Sequence, residues 1–287
     1  MTDRPESRRI DVQFHFSPAF YTDLLRDTSF ITTDRWSVEN ALAYMDSHGI
    51  AAGVMSVSTP GVDVLPAAES VTLARRLNDA AAEVARAHPG RFGNFATLPM
   101  QDPAAALAEL ARCLDDLQMD GVCMMSNVLG RYPGHESFAV VFDELQRRGT
   151  VLFIHPNDPA YGGSLEVAAV AEWPYDTGRA AIDLRDVVLL LDRAAARDAA
   201  GSRAADRRLL LRPRNLGRRI RHRRPPRGLR SRPRLFACDW PFAPDPAVAA
   251  NIAGFEALSL SPAQRSAIEH GTAEGLFPNL AGSLVTR

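Results

Sequence analysis

Three polar side chains stand where strand-like apolar stretches end. They are His15 after RIDVQFHF, His155 after TVLFIH, and Asp239 in LFACDWPF. Two imidazoles and a carboxylate are donors that Zn²⁺ or another divalent ion takes from a protein. A coordination position left open can then activate water or polarise a substrate oxygen. A single histidine at a strand end is more often a hydrogen-bonded loop or core residue, and an aspartate before Trp-Pro can serve only a turn. The joint occurrence carries the weight, because in a β/α barrel the C-terminal ends of all strands meet at one face. Asn127 and Arg131 follow another apolar stretch, Gly121 to Met125, and are candidates for contact with an anionic substrate. Trp240 either lines the mouth of such a pocket or packs against Phe242. Cys238 precedes Asp239 and so points to the opposite side of a strand, as core filler. His48 and His88 read as caps at helix ends.

These residues need elements that bring them together. Arg9 to Phe16 alternates apolar and polar residues and reads as a strand; Ile50 to Val57 is a nearly continuous apolar run, as in a strand covered on both faces. Arg91 to Leu98, Gly121 to Met125 and Thr150 to His155 read as further strands. Apolar residues at helical spacing predict helices over Trp36 to His48, Pro66 to His88, Pro103 to Leu117 and Phe138 to Arg148, with Gly49 and Asp102 as terminal signals. Strict alternation of strands and helices calls for a parallel sheet with covering helices, either a barrel or a doubly wound sheet. No Gly-rich phosphate loop follows any of these strands. After residue 235 a last strand and two helices, Pro246 to Leu258 and Pro262 to Ala273, follow.

The chain has 287 residues with 46% hydrophobic and 23% charged, enough for a sizeable core and too apolar for global disorder. Its net charge of −1 excludes a globally basic nucleic-acid binder. No apolar run reaches the roughly 18 residues of a membrane span. Met1 to Arg9 is polar and lacks the apolar stretch of a signal peptide. Three scattered cysteines are too few for a disulfide framework. The expectation is a reduced, soluble, cytoplasmic protein. There is no lysine, and Arg193 to Arg234 holds 16 arginines against two acidic residues, inside a body of 17 arginines and 32 acidic residues.

Several blocks in order resemble the amidohydrolase-related (amidohydrolase 2) family, in its decarboxylase branch with aminocarboxymuconate-semialdehyde and 6-methylsalicylate decarboxylases. They are IDVQFHFSPAFY, SVSTPGV, ARRLNDAAAEVARAHPGRFGNFATLPMQDP, LDDLQMDGVCMMSNVLGRY, VLFIHP and LFACDWPFAP. The resemblance implies a (β/α)8 TIM barrel of the metal-dependent amidohydrolase type, one domain over 9–283 with units six and seven incomplete. It also implies a Zn²⁺ or similar ion. The family's paired strand-one ligands fall on Gln13 and His15, its strand-five ligand on His155, and its strand-eight aspartate on Asp239, as ligand or proton relay. The strand-six histidine has no counterpart; His222 lacks the strand and glycines that should surround it. Gln13 offers a neutral amide oxygen, weaker than imidazole for zinc.

The activity implied is non-oxidative decarboxylation of an aromatic or unsaturated carboxylic acid, a small-molecule substrate. Two other readings stay open: a metal-dependent hydrolase of a lactone or amide, and a catalytically impaired remnant. Family members are often dimers, so a homodimer is a further expectation. The Arg-rich stretch 193–234 lacks the aromatics that would stack bases. Its composition fits a charged loop or a shifted reading frame of GC-rich coding sequence, and the latter is favoured: Leu211 to Asn215 can be encoded so that a one-base shift reads Tyr-Asp-Leu-Ala-Thr.

Overall fold

The computed structural model describes residues 8–28, 30, 32–157, 188–191, 209–211 and 234–280. The expected strands form: β1 (Arg9–His15), β2 (Ile50–Ser56), β3 (Phe92–Thr97), β4 (Gly121–Met125) and β5 (Val151–His155). The intervening helices are α2 (Val38–His48), α3 (Ala67–Ala87), α4 (Pro103–Ala111) and α5 (Ala139–Arg148). A π-helical turn, Arg112–Asp116, extends α4. A short helix missing from the sequence expectations, α1 (Ala19–Leu25), follows β1 directly and buries Tyr21, Thr22 and Leu25.

Local signals explain the boundaries. Ser37 caps α2 by accepting the Asn40 N–H, and Asp102 caps α4 by accepting from Ala104 and Ala105, satisfying otherwise orphaned donors. Gly49 ends α2 in the left-handed region at φ 64°, which lets β2 begin one residue later.

β1 to β5 pair in sequence order, all parallel. Strand β6 (Val188–Leu191) continues the parallel order beside β5, and β7 (Leu209–Leu211) pairs antiparallel to β6. An antiparallel β7 departs from the seventh strand of a regular β/α barrel. It also shows that Leu209–Leu211, inside the Arg-rich stretch, takes a ladder place. Residues 193–208 and 212–233 of that stretch, His222 among them, lie outside the described residues. At the opposite edge, Phe236 and Trp240 bridge to Asp11 and Phe14 in parallel, so the last apolar segment lies beside β1. Among the described residues no pairing joins β7 to residues 236–240.

The sheet curls. Strands β1 and β5 are four places apart, which in a flat sheet at ordinary spacing means roughly 19 Å; the rings of His15 and His155 are 4.8 Å apart. The concave face carries one apolar cluster: Ile10, Val12, Val54, Phe95, Met125 and Phe153, with Leu235 and Ala237 against it. The convex face carries a larger cluster under the helices, including Phe14, Met55, Ala96, Leu110, Leu145, Ile154 and Trp240.

The C-terminal elements are α6 (Asp245–Glu256), α7 (Pro262–Ser266), a π-helical turn (Ala267–Gly271) and α8 (Thr272–Leu276). They close the N-terminal end of the strands: Ala273, Phe277 and Leu280 join the concave cluster, and Phe277 meets Phe95 edge-on at 5.6 Å. None of the described helices is long and apolar enough to cross a membrane.

Candidate metal centre

Above the concave apolar layer, at the C-terminal ends of the strands, the structure brings His15, His155 and Asp239 together. One donor atom from each lies within 4.8 Å of the others. Both histidines are buried. His15 is the last residue of β1 and His155 the last of β5. Asp239 is placed by the 236–240 segment, its N–H donating to the Gln13 carbonyl at 3.0 Å. Its φ of 68° is uncommon for a non-glycine residue; its carbonyl then accepts from Phe242 and Ala243, making the turn that follows.

Each imidazole is oriented by a backbone carbonyl. Nδ1 of His15 is 3.3 Å from the Ser56 carbonyl oxygen, and Nδ1 of His155 is 2.8 Å from that of Pro156. A carbonyl can only accept, so both contacts favour the tautomer with the proton on Nδ1. That leaves each Nε2 lone pair for the centre, the arrangement by which outer hydrogen bonds orient metal-binding imidazoles. Nε2 of His15 is 2.9 Å from Asp239 Oδ1, a separation that two acceptors hold only with a proton or a cation between them, and Nε2 of His155 is 3.4 Å from the Ser58 hydroxyl.

Gln13 is buried beside them, and its Nε2 donates to the same Asp239 Oδ1 at 2.9 Å. Turning the amide over would present its oxygen instead. Ligands about 2.0–2.2 Å from one ion stand up to about 4.4 Å apart. The cluster therefore suits a divalent ion after a small contraction: two imidazole nitrogens, a carboxylate, and an amide oxygen within reach.

The surrounding loops are braced. Asn127 is buried; its Oδ1 accepts the Gly130 N–H at 3.1 Å, and its carbonyl accepts from Asn157. Arg131 is exposed on the same turn. Trp240 does not stand at a pocket mouth. It is buried on the convex side and stacks on Phe14, centroids 4.7 Å apart, because it alternates with Asp239 along the segment. Phe242 instead meets the His15 ring, at 5.5 Å. Cys238 faces away from the centre, and burial first, then the Asp11 charge, push its thiol well above its ordinary range.

Sequence reading passed over Ser56 and Ser58, which approach His15 and His155. Their signal was present: two serines at period two where an apolar strand ends. The β2–α3 loop also carries Asp63, whose carboxyl burial raises to about 7 against the N–H groups of Gln101 and Met100. The Gln101 side chain donates back to the carbonyls of Asp63 and Leu65 at 2.7 Å each, tying two rim loops together.

A family model described as amidohydrolase matches residues 10–209, more than half of the chain. The chain belongs to the amidohydrolase family. Among its curated relatives, decarboxylase yanB of Aspergillus niger is 36% identical over 195 residues, covering 61% of this chain and 53% of that protein. The 6-methylsalicylic acid decarboxylase acuB of Aspergillus aculeatus is 34% identical over 187 residues, covering 61% and 57%. This amidohydrolase chain thus spans little more than half the length of these relatives. A crystal structure of amidohydrolase II superposes with a TM-score of 0.73 at 18% identity, over 93% of this chain and 99% of the other. A dihydroxybenzoic acid decarboxylase from Polaromonas, with bound manganese and the inhibitor 2-nitroresorcinol, gives 0.66 at 20% identity, over 95% and 97%. At such identities the structural likeness shows the amidohydrolase fold alone.

Proposed function

We propose that this chain is a divalent-metal-dependent, non-oxidative decarboxylase of an aromatic carboxylic acid. The observation that carries the reading is the meeting of His15, His155 and Asp239 at one point of the curled sheet. The decarboxylases among the relatives favour it over lactone or amide hydrolysis. In this reading His15 and His155 hold the ion through Nε2, Asp239 through a carboxylate oxygen, and Gln13 through its amide oxygen. The ion, manganese or zinc, would supply the positive charge that attracts the substrate carboxylate.

Asp239 also serves as the proton carrier. Its carboxyl passes a proton to the ring carbon that bears the carboxylate. The bond to that carboxylate then breaks, its electron pair returns to the ring, and CO₂ leaves. Arg131, exposed beside the turn that Asn127 braces, is the cation that meets the incoming acid. The same reading treats 9–283 as one barrel domain of a cytoplasmic homodimer, the Arg-rich stretch being an aberrant insert.

The test is turnover with Mn²⁺ or Zn²⁺ present. 6-Methylsalicylate and 2,6-dihydroxybenzoate are supplied and released CO₂ is measured. Decarboxylation of either, lost with chelator and in Asp239→Asn, supports the reading. Hydrolysis of an aryl ester or lactone with no CO₂ release would replace it.

A further inference from the structure

Alternation along β1 breaks once. Ile10 and Val12 belong to the concave cluster, whereas Phe14 and Phe16 belong to the convex one. The pairing shows where the faces exchange. Asp11 lies opposite Gly53 and Phe14 opposite Met55, so three steps of β1 span two steps of β2. One extra residue in a strand is a β-bulge, and a one-residue slip re-aims every side chain after it. With unbroken alternation, Phe14 would follow Ile10 and Val12 inward. Gln13 and His15 would then face the helices, and no imidazole from β1 would meet His155.

Asp11 is the side chain at this bulge, and it is fully buried. Its Oδ1 accepts the backbone N–H of Gln13 at 3.0 Å and that of Cys238 at 3.1 Å. Its Oδ2 takes the Cys238 thiol in a short contact. Cys238 precedes Asp239, whose own N–H returns to the Gln13 carbonyl. One carboxylate oxygen therefore fixes two of the three stretches of backbone that deliver donors to the centre.

The geometry points to Asp11 as a positioning residue: by holding the β1 bulge and the 238–239 backbone to one oxygen, it aims Gln13, His15 and Asp239 at a common point. It acts through two N–H groups and is not part of the donor cluster. This inference rests on the metal-centre reading above.

The test uses the full chain with two readouts: Mn²⁺ affinity by electron paramagnetic resonance, and imidazole ¹H–¹⁵N spectra of the metal-free protein. Removing a partner that orients metal ligands typically weakens binding about 10–100-fold. Asp11→Ala is expected to bind Mn²⁺ at least about tenfold more weakly and to displace the His15 imidazole signals, while still unfolding cooperatively. Asp11→Asn keeps an oxygen for both N–H groups. It is expected to restore the imidazole signals and most of the affinity.

Wild-type affinity and spectra in Asp11→Ala would overturn the inference. So would an Asp11→Asn protein as impaired as Asp11→Ala, since charge rather than held geometry would then set the affinity. If Asp11→Ala does not fold, Asp11→Glu decides: it keeps the charge but moves the oxygens by one methylene. Weakened binding and displaced His15 signals support the inference, and an unchanged protein overturns it. Failure of the wild-type chain to bind Mn²⁺ removes the metal reading; the metal-free imidazole spectra of the same variants then still decide the role of Asp11.

Discussion

Arg9 joins the start of β1 to the C-terminal helices, and its loss should be measurable. Its side chain is 9% exposed and donates to Glu256 at 2.7 Å and to Glu269 at 3.2 Å, their side chains 54% and 20% exposed. The guanidinium also reaches the His48 carbonyl at 3.4 Å and lies 5.8 Å from the Phe236 ring centroid. Breaking a fully buried pair by removing one partner costs roughly 3–5 kcal/mol, whereas an exposed pair contributes about 0–1. Glu256 is half in water and can rehydrate, and methionine refills most of the stem volume. Arg9→Met should therefore cost about 2 kcal/mol, or about 4–8 °C in melting temperature for a chain of this size. Thermal unfolding followed by circular dichroism measures it. A double-mutant cycle with Glu269→Gln should give a coupling of about 1 kcal/mol. A shift under about 1 °C, or a purely additive cycle, would refute the idea that this pair ties β1 to the C-terminal helices.

Gln13→His should raise the manganese or zinc retained after dialysis, measured by elemental analysis, because imidazole replaces a weaker amide donor beside His15. Phe277→Ala should cost about 3–5 kcal/mol by urea unfolding, since the ring is fully buried at the closed end of the concave cluster. Burial raises Asp63 from 3.8 to about 7, so the folded chain keeps a proton that the unfolded chain has lost across that window. Its contribution to stability is complete below about pH 4 and fades as pH rises towards 7. Asp63→Asn should flatten that part of the urea-midpoint profile between pH 4.5 and 7.5, and an unchanged slope would count against the raised carboxyl.

Strands β2 to β5 and their helices are legible because each is a simple case. Apolar runs covered on both faces, helical spacing, an Asp102 cap and a Gly49 stop all act locally. His155 and Asp239 are legible for the same reason, since each ends a clear apolar stretch. β1 is different. RIDVQFHF alternates so regularly that it suggests one apolar face, yet the structure divides Ile10 and Val12 from Phe14 and Phe16. The bulge depends on a carboxylate reaching a backbone 227 positions away in sequence, which no local pattern reports. Trp240 fails as a pocket residue because its face is set by Asp239 next to it. Helix α1 is short, and its burial comes from tertiary packing of Tyr21 and Leu25 rather than from a long periodic signal. Strand β6 has its apolar run in Val187 to Leu191, but the arginine-rich stretch that follows hides the strand, and β7 has only Leu209–Leu211 to mark it.

In the proposed centre, two imidazoles and a carboxylate from opposite sides of a curled sheet share one ion. An anomalous difference map from a crystal soaked in Mn²⁺ tests it most directly. One strong peak is expected within bonding distance of Nε2 of His15, Nε2 of His155 and a carboxylate oxygen of Asp239. A map with no peak there, or with manganese held only by other side chains, would contradict it.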